Sequence, residues 1–173
     1  YKEEEQNPQT PFLEWLNPKN KKKYTWGEAS VCIQKLAKVL KNNIKEGDRC
    51  LLISENRPEW LIADLAIMLS GGITVPAYTT YVEKDYKYLI EDCEPSVVIV
   101  SNDEMYDKLK NIIKEKDFIK KIISFDELKS IKQKDKYLKF NSIINDQSDE
   151  NKKIKNENLK RNSPACIIYT SGT

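Results

Sequence analysis

Apolar positions along the chain follow two alternating rhythms, one recurring every three to four residues and one continuous over four or five. Ala29, Cys32, Ile33, Leu36, Ala37 and Leu40 form a single stripe of period 3.6, so a helix is predicted there. Thr25 and Glu28 sit before it at capping-box spacing, the hydroxyl and the carboxylate each answering an orphan backbone N–H. Gly47-Asp48 turns the chain into a short strand over 50–53. Asn56 is placed to cap a second helix with Pro58 in its first turn. That helix, over 59–69, is apolar almost all round, which predicts burial inside a larger body. Gly71-Gly72 ends it, and a strand follows over 73–75.

The alternation continues with a helix over 83–92 and a fully buried strand over 96–100. An amphipathic helix over 103–114 follows, with Met105, Leu109, Ile112 and Ile113 inward. A strand over 121–124 and a short helix over 126–131 complete the series. Strands without polar alternation, separated by helices, predict an α/β fold: a largely parallel sheet with helices on both faces. From 132 to 162 the composition shifts to Lys, Asn, Asp and Glu, which predicts a mobile polar surface segment. A last strand is expected over 165–169, with Cys166 buried in it. No internal repeat is visible.

Composition narrows the function classes. A chain of 173 residues can bury roughly two-thirds of its unfolded surface as one domain. Its 29 basic and 27 acidic side chains leave a net charge of +2, with the signs interleaved, so no electrostatic argument for nucleic acid arises. The longest apolar stretch, 60–69, is interrupted by Asp64 and is too short to cross a bilayer. Cys32, Cys50, Cys93 and Cys166 lie far apart with no C-x-x-C, and read as small buried hydrophobes in a reducing compartment. The chain has no histidine, which removes Ser–His and Cys–His pairs and His-ligated metals from these residues. It starts with Tyr1 rather than Met, so both ends read as cut.

Several motifs have a packing reading that outweighs a chemical one. Trp26 and Trp60, at helix starts, read as packing anchors. Arg57 reads as a bridge to Glu59 or Glu55. Lys21 to Lys23 reads as a solvated loop, since no basic amphipathic helix surrounds it. Tyr78-Thr79-Thr80-Tyr81 is a polar aromatic loop at a strand end, where open α/β sheets place ligands. The ending, Ala165 to Tyr169 and then Thr170-Ser171-Gly172-Thr173, is an apolar run feeding a hydroxyl- and glycine-rich turn. Such a turn can aim several donors at one anion. No Gly-x-x-x-x-Gly-Lys-Ser/Thr run accompanies it.

Four segments occur in order: Tyr24-Thr25-Trp26-Gly27-Glu28-Ala29; Leu52 to Trp60 with Ala63-Asp64-Leu65-Ala66; Gly71-Gly72-Ile73-Thr74-Val75-Pro76; and Ile167 to Thr173. Together they resemble the N-terminal part of the acyl-adenylate-forming (AMP-binding) enzymes. The run Ser54-Glu55-Asn56-Arg57-Pro58-Glu59-Trp60 is most similar to the long-chain fatty acyl-CoA synthetases. The resemblance implies that residues 1–173 are an incomplete piece of the large N-terminal domain, ending inside the phosphate loop. It implies that Thr170, Ser171, Gly172 and Thr173 contact the β- and γ-phosphates of ATP, with Thr170 also a neighbour of Mg²⁺. It implies a ligase that joins a fatty acid to coenzyme A through an acyl-adenylate. No catalytic residue falls in these 173, and the adenine contacts, the Mg²⁺-binding glutamate and the catalytic lysine would lie downstream, so the piece alone is expected to be inactive. A cytoplasmic location is expected, with peripheral membrane contact and a homodimer left open. Two alternatives remain: another adenylate-former, such as an aryl-CoA ligase, an amino-acid-activating domain or a luciferase-like enzyme, and a degenerate paralogue acting as a scaffold.

Overall fold

Thr25 opens the longest helix as its spacing predicts. Its hydroxyl accepts from the Glu28 N–H at 3.2 Å, while the Glu28 carboxylate accepts from the Thr25 N–H at 2.8 Å. The computed structural model describes every residue except 1, 17–20, 132–133, 148–152, 156–158 and 171–173. In chain order its elements are α1 (Lys2–Gln6), β1 (Pro11–Trp15), β2 (Lys22–Thr25), α2 (Trp26–Lys41), β3 (Arg49–Ile53), α3 (Pro58–Leu69) and β4 (Ile73–Ala77). There follow α4 (Glu83–Cys93), β5 (Val97–Val100), α5 (Asp103–Asp107), α6 (Lys110–Ile113), β6 (Lys121–Ser124), β7 (Tyr137–Lys139) and α7 (Phe140–Asn145).

Five strands form one sheet in the order β4-β3-β5-β6-β7, and every pairing in it is parallel. Strands buried on both faces need no polar alternation, which is why β3 and β5 read as unbroken apolar runs. Cys50 and Leu52 of β3 pack with Leu36 and Leu40 of α2 and Ile62 and Ile67 of α3. Leu51 and Ile53 face the other way, onto Tyr86, Leu89 and Ile90 of α4 and Met105 beyond them. The fold is therefore the expected α/β layer arrangement. A separate antiparallel hairpin, β1–β2, lies at the N-terminal side.

Five expectations change. Asn56 does not cap α3: Arg57 occupies the N-cap position without a side-chain cap bond, and Pro58 starts the helix. The helix expected over 103–114 is two short ones, α5 and α6, with Met105, Leu109, Ile112 and Ile113 buried as the stripe predicts. No helix forms over 126–131, because its groups are engaged elsewhere. The Asp126 N–H bonds the Ser101 carbonyl, and the Lys129 N–H donates to the Asp103 carboxylate at 2.9 Å. The polar stretch 132–162 contains β7 and α7, which place Phe140 and Ile143 in the core. Finally, 165–169 is not a buried strand. It makes one parallel bridge, Cys166 opposite Thr74, and Cys166, Ile167 and Ile168 are exposed. Cys32, Cys50 and Cys93 are buried free thiols as expected.

Candidate functional site

The carboxyl ends of parallel strands are where an open α/β sheet offers ligands a crevice. Just after β3 that edge carries a charge cluster. Arg57 donates from Nε to Glu59 Oε2 at 2.8 Å, and from both terminal nitrogens to Asp126 at 3.1 Å each. Its guanidinium lies 4.9 Å from the Trp15 ring centroid and 5.4 Å from that of Phe125. Lys22 Nζ pairs with the other Glu59 oxygen. The side chains of Arg57 and Glu59 are 3% and 1% exposed, so this is a buried clasp joining the β1–β2 hairpin, the start of α3 and the end of β6. Burial alone would raise the Glu59 carboxyl, but the hydrogen bonds from Arg57 and Lys22 outweigh it and hold the group below its ordinary value. The expected Arg57–Glu59 bridge is present; Lys22, Asp126, Trp15 and Phe125 had no local signal linking them to it.

The Tyr78–Tyr81 loop follows the edge strand β4 at the same carboxyl end of the parallel sheet. Tyr86 donates its hydroxyl to the Tyr78 carbonyl at 2.6 Å, and Lys108 Nζ donates to the Thr79 carbonyl at 2.7 Å. The Tyr78 and Tyr81 rings meet edge to face at 5.4 Å, and Tyr81 meets Tyr86 at 5.8 Å. Burial pushes the Tyr86 phenol up to about 12, so it stays a hydrogen-bond donor. The two tryptophans are packing anchors: Trp26 stacks on Phe12 with centroids 3.7 Å apart, and Trp60 packs on the first core cluster.

Thr170, the described member of the terminal hydroxyl turn, is exposed, and Ser171, Gly172 and Thr173 lie outside the described residues. The segment reaching Thr170 is tied to β4 by two backbone bonds, Thr74 N–H to Ala165 C=O at 3.1 Å and Ile167 N–H to Thr74 C=O at 2.9 Å. Tyr169 then turns toward α4, its hydroxyl on the Asp92 carboxylate and its ring edge-on to Tyr88 with centroids 6.3 Å apart. Among the described residues no group of three or more His, Cys, Asp or Glu is placed to hold a metal ion. No helix among them is long and apolar enough to cross a membrane.

A family model described as AMP-binding enzyme matches residues 2–173, and the chain belongs to that family. A long-chain-fatty-acid–CoA ligase of Xenopus laevis is 30% identical over 125 residues, covering 70% of this chain and 17% of the relative. A mitochondrial acyl-coenzyme A synthetase of Homo sapiens is 27% identical over 169 residues, covering 96% of this chain and 28% of the relative. The acetoacetyl-CoA synthetase of Streptomyces lividans shares the fold, with a TM-score of 0.84 at 18% identity over 98% of this chain and 27% of that one. A coronafacic acid ligase of Pectobacterium brasiliense shares it at 0.82 and 22%, over 97% of this chain and 32% of that one. The chain thus spans less than a third of the length of both curated relatives.

Proposed function

We propose that this chain is the phosphate-loop side of an ATP-dependent acid–CoA ligase acting on long-chain fatty acids. The observation that carries the reading is the family match over residues 2–173, which takes in both the Arg57 region and the Thr170 turn. The similarity to a long-chain-fatty-acid–CoA ligase supports the acyl class. In the first half-reaction the fatty-acid carboxylate attacks the α-phosphorus of ATP, forming the acyl–phosphate bond and releasing pyrophosphate. In the second, the thiol of coenzyme A attacks the acyl carbon, giving the thioester, AMP and a proton.

Both partners of the first step are anions, so the protein must hold and orient the phosphates. Thr170, Ser171 and Thr173 supply neutral hydroxyls, and Gly172 allows close approach; by this reading they contact the β- and γ-phosphates. Neutral donors bind without an ion pair that would slow pyrophosphate release. The described residues do not by themselves fit a magnesium site, because Thr170 offers one neutral hydroxyl and no carboxylate cluster surrounds it.

The test uses the complete protein and fatty-acid-dependent exchange of pyrophosphate into ATP. Long-chain acids should drive exchange in preference to aromatic acids or amino acids, and the 173 residues alone should show none. Exchange driven only by amino acids would move the protein to the amino-acid-activating branch. A second reading, an acyl-CoA synthetase of different chain preference, is favoured by the similarity to the human mitochondrial enzyme over 96% of this chain; the chain-length profile of the same assay separates the two.

A further inference from the structure

Between its bridge to β4 and the hydroxyl turn, the segment 166–170 has very little to hold it. Cys166, Ile168 and Thr170 are exposed, and Ile167 is 37% exposed. One ladder bridge and two backbone bonds fix the start of the segment. Tyr169 is the exception. Its ring packs against the cluster built from β3, β5 and α4, and meets Tyr88 edge to face. Its hydroxyl bonds the Asp92 carboxylate. A side chain anchored one peptide bond before Thr170 controls where the Thr170 hydroxyl stands, because only the backbone torsions of the two residues intervene.

We propose that Tyr169 is a positioning residue for Thr170, with Asp92 and Tyr88 of α4 as the contacts against which it is set. This rests on the reading that Thr170 contacts the phosphates of ATP. Burial, and then the Asp92 contact, push the Tyr169 phenol above its ordinary value, so across the neutral range it remains the donor that the carboxylate requires. Positioning matters more than the strength of the contact. A displacement of about 1 Å in a group that orients reactants commonly costs on the order of a hundredfold in rate.

The test compares Tyr169→Phe, Tyr169→Ala, Asp92→Ala and the Tyr169→Phe/Asp92→Ala pair with Thr170→Ala, all in the complete protein. Three quantities are read: fatty-acid-dependent ATP–pyrophosphate exchange, thioester formation from supplied acyl-adenylate and coenzyme A, and the thermal midpoint. Tyr169→Phe and Asp92→Ala should each lower exchange about tenfold, the usual effect of losing one hydrogen bond to a charged group. The double variant should be no lower than either single one, and Tyr169→Ala should fall about a hundredfold. Thioester formation and the midpoint should hardly move. Exchange that survives in every Tyr169 variant while Thr170→Ala abolishes it overturns the positioning role and leaves the phosphate reading intact. A parallel fall of both half-reactions with the midpoint also overturns it, since Tyr169 would then be merely structural. Full exchange in Thr170→Ala overturns both.

Discussion

Arg57 and Asp126 stand 69 residues apart in sequence and meet through two parallel N–H···O bonds of 3.1 Å each. The same guanidinium uses its remaining edge on Glu59, and its face lies over Trp15 and Phe125. One side chain thereby links the hairpin, α3 and the end of β6. Lysine cannot reproduce the arrangement, because an ammonium lacks both the planar fork and the stacking face.

Arg57→Ala should destabilise the protein by about 3–5 kcal/mol, since Glu59 would remain buried with only Lys22 for a partner. Arg57→Lys should fall between that variant and the parent. Urea unfolding midpoints measure both, and a change of under about 1 kcal/mol for Arg57→Ala would show that the clasp contributes nothing.

The Glu59 carboxyl gives a pH dependence with a defined sign. Its folded pKa lies below its unfolded one, near 4.3, so its contribution to stability is complete above that value and is lost as the pH falls through the depressed folded pKa. Glu59→Gln should remove part of the acid slope. Comparing thermal midpoints between about pH 6 and pH 3 should show a smaller drop for the variant than for the parent. Equal drops would assign the acid slope to other carboxyls.

Phe140 tests whether the polar stretch belongs to the core. It is 2% exposed and meets Phe125 edge to face at 5.6 Å. Phe140→Ala should cost about 3–5 kcal/mol in equilibrium unfolding. A loss comparable to a surface substitution, within about 0.5 kcal/mol, would return α7 to the surface.

Several of the strongest local signals are matched by the structure. Thr25 with Glu28, the stripe of α2 and the apolar runs of β3 and β5 each state their own geometry, and they suffice for the parallel α/β fold. Phe140 and Ile143 were hidden because two buried side chains in a segment rich in Lys, Asn and Asp make no periodic stripe. Residues 126–131 look helical one by one, yet Asp126 is taken by Arg57, and the Lys129 N–H by Asp103. At 165–169 the apolar run predicts burial, but a run says nothing of which neighbours will cover it. The candidate site is legible only in its residue types. Ser171, Gly172 and Thr173 lie outside the described residues, and the partnership of Tyr169 with Asp92 spans 77 positions with no pattern to announce it.

Cysteine reactivity follows from the same burial pattern. Desolvation pushes the Cys32 thiol up to about 11 and those of Cys50 and Cys93 up to about 12, so little thiolate forms at neutral pH, whereas Cys166 is exposed. Iodoacetamide at about pH 8 should modify Cys166 first in the native protein, with the other three reacting only after unfolding. Peptide mass mapping reads the order; early labelling of Cys50 would contradict the buried β3. Cys166→Ala, by the same exposure, should leave the thermal midpoint nearly unchanged.

In the proposed function the turn beginning at Thr170 handles the phosphates of ATP. The most direct measurement is the rate of fatty-acid-dependent ATP–pyrophosphate exchange for Thr170→Ala in the complete protein, read beside its thermal midpoint. Loss of a preorganised donor to developing charge commonly costs on the order of 10²–10³-fold in rate. An exposed hydroxyl contributes little beyond about 1 kcal/mol to folding. Exchange should fall by that factor with an unchanged midpoint; full exchange with a lowered midpoint would make the turn purely structural and rule out its phosphate role.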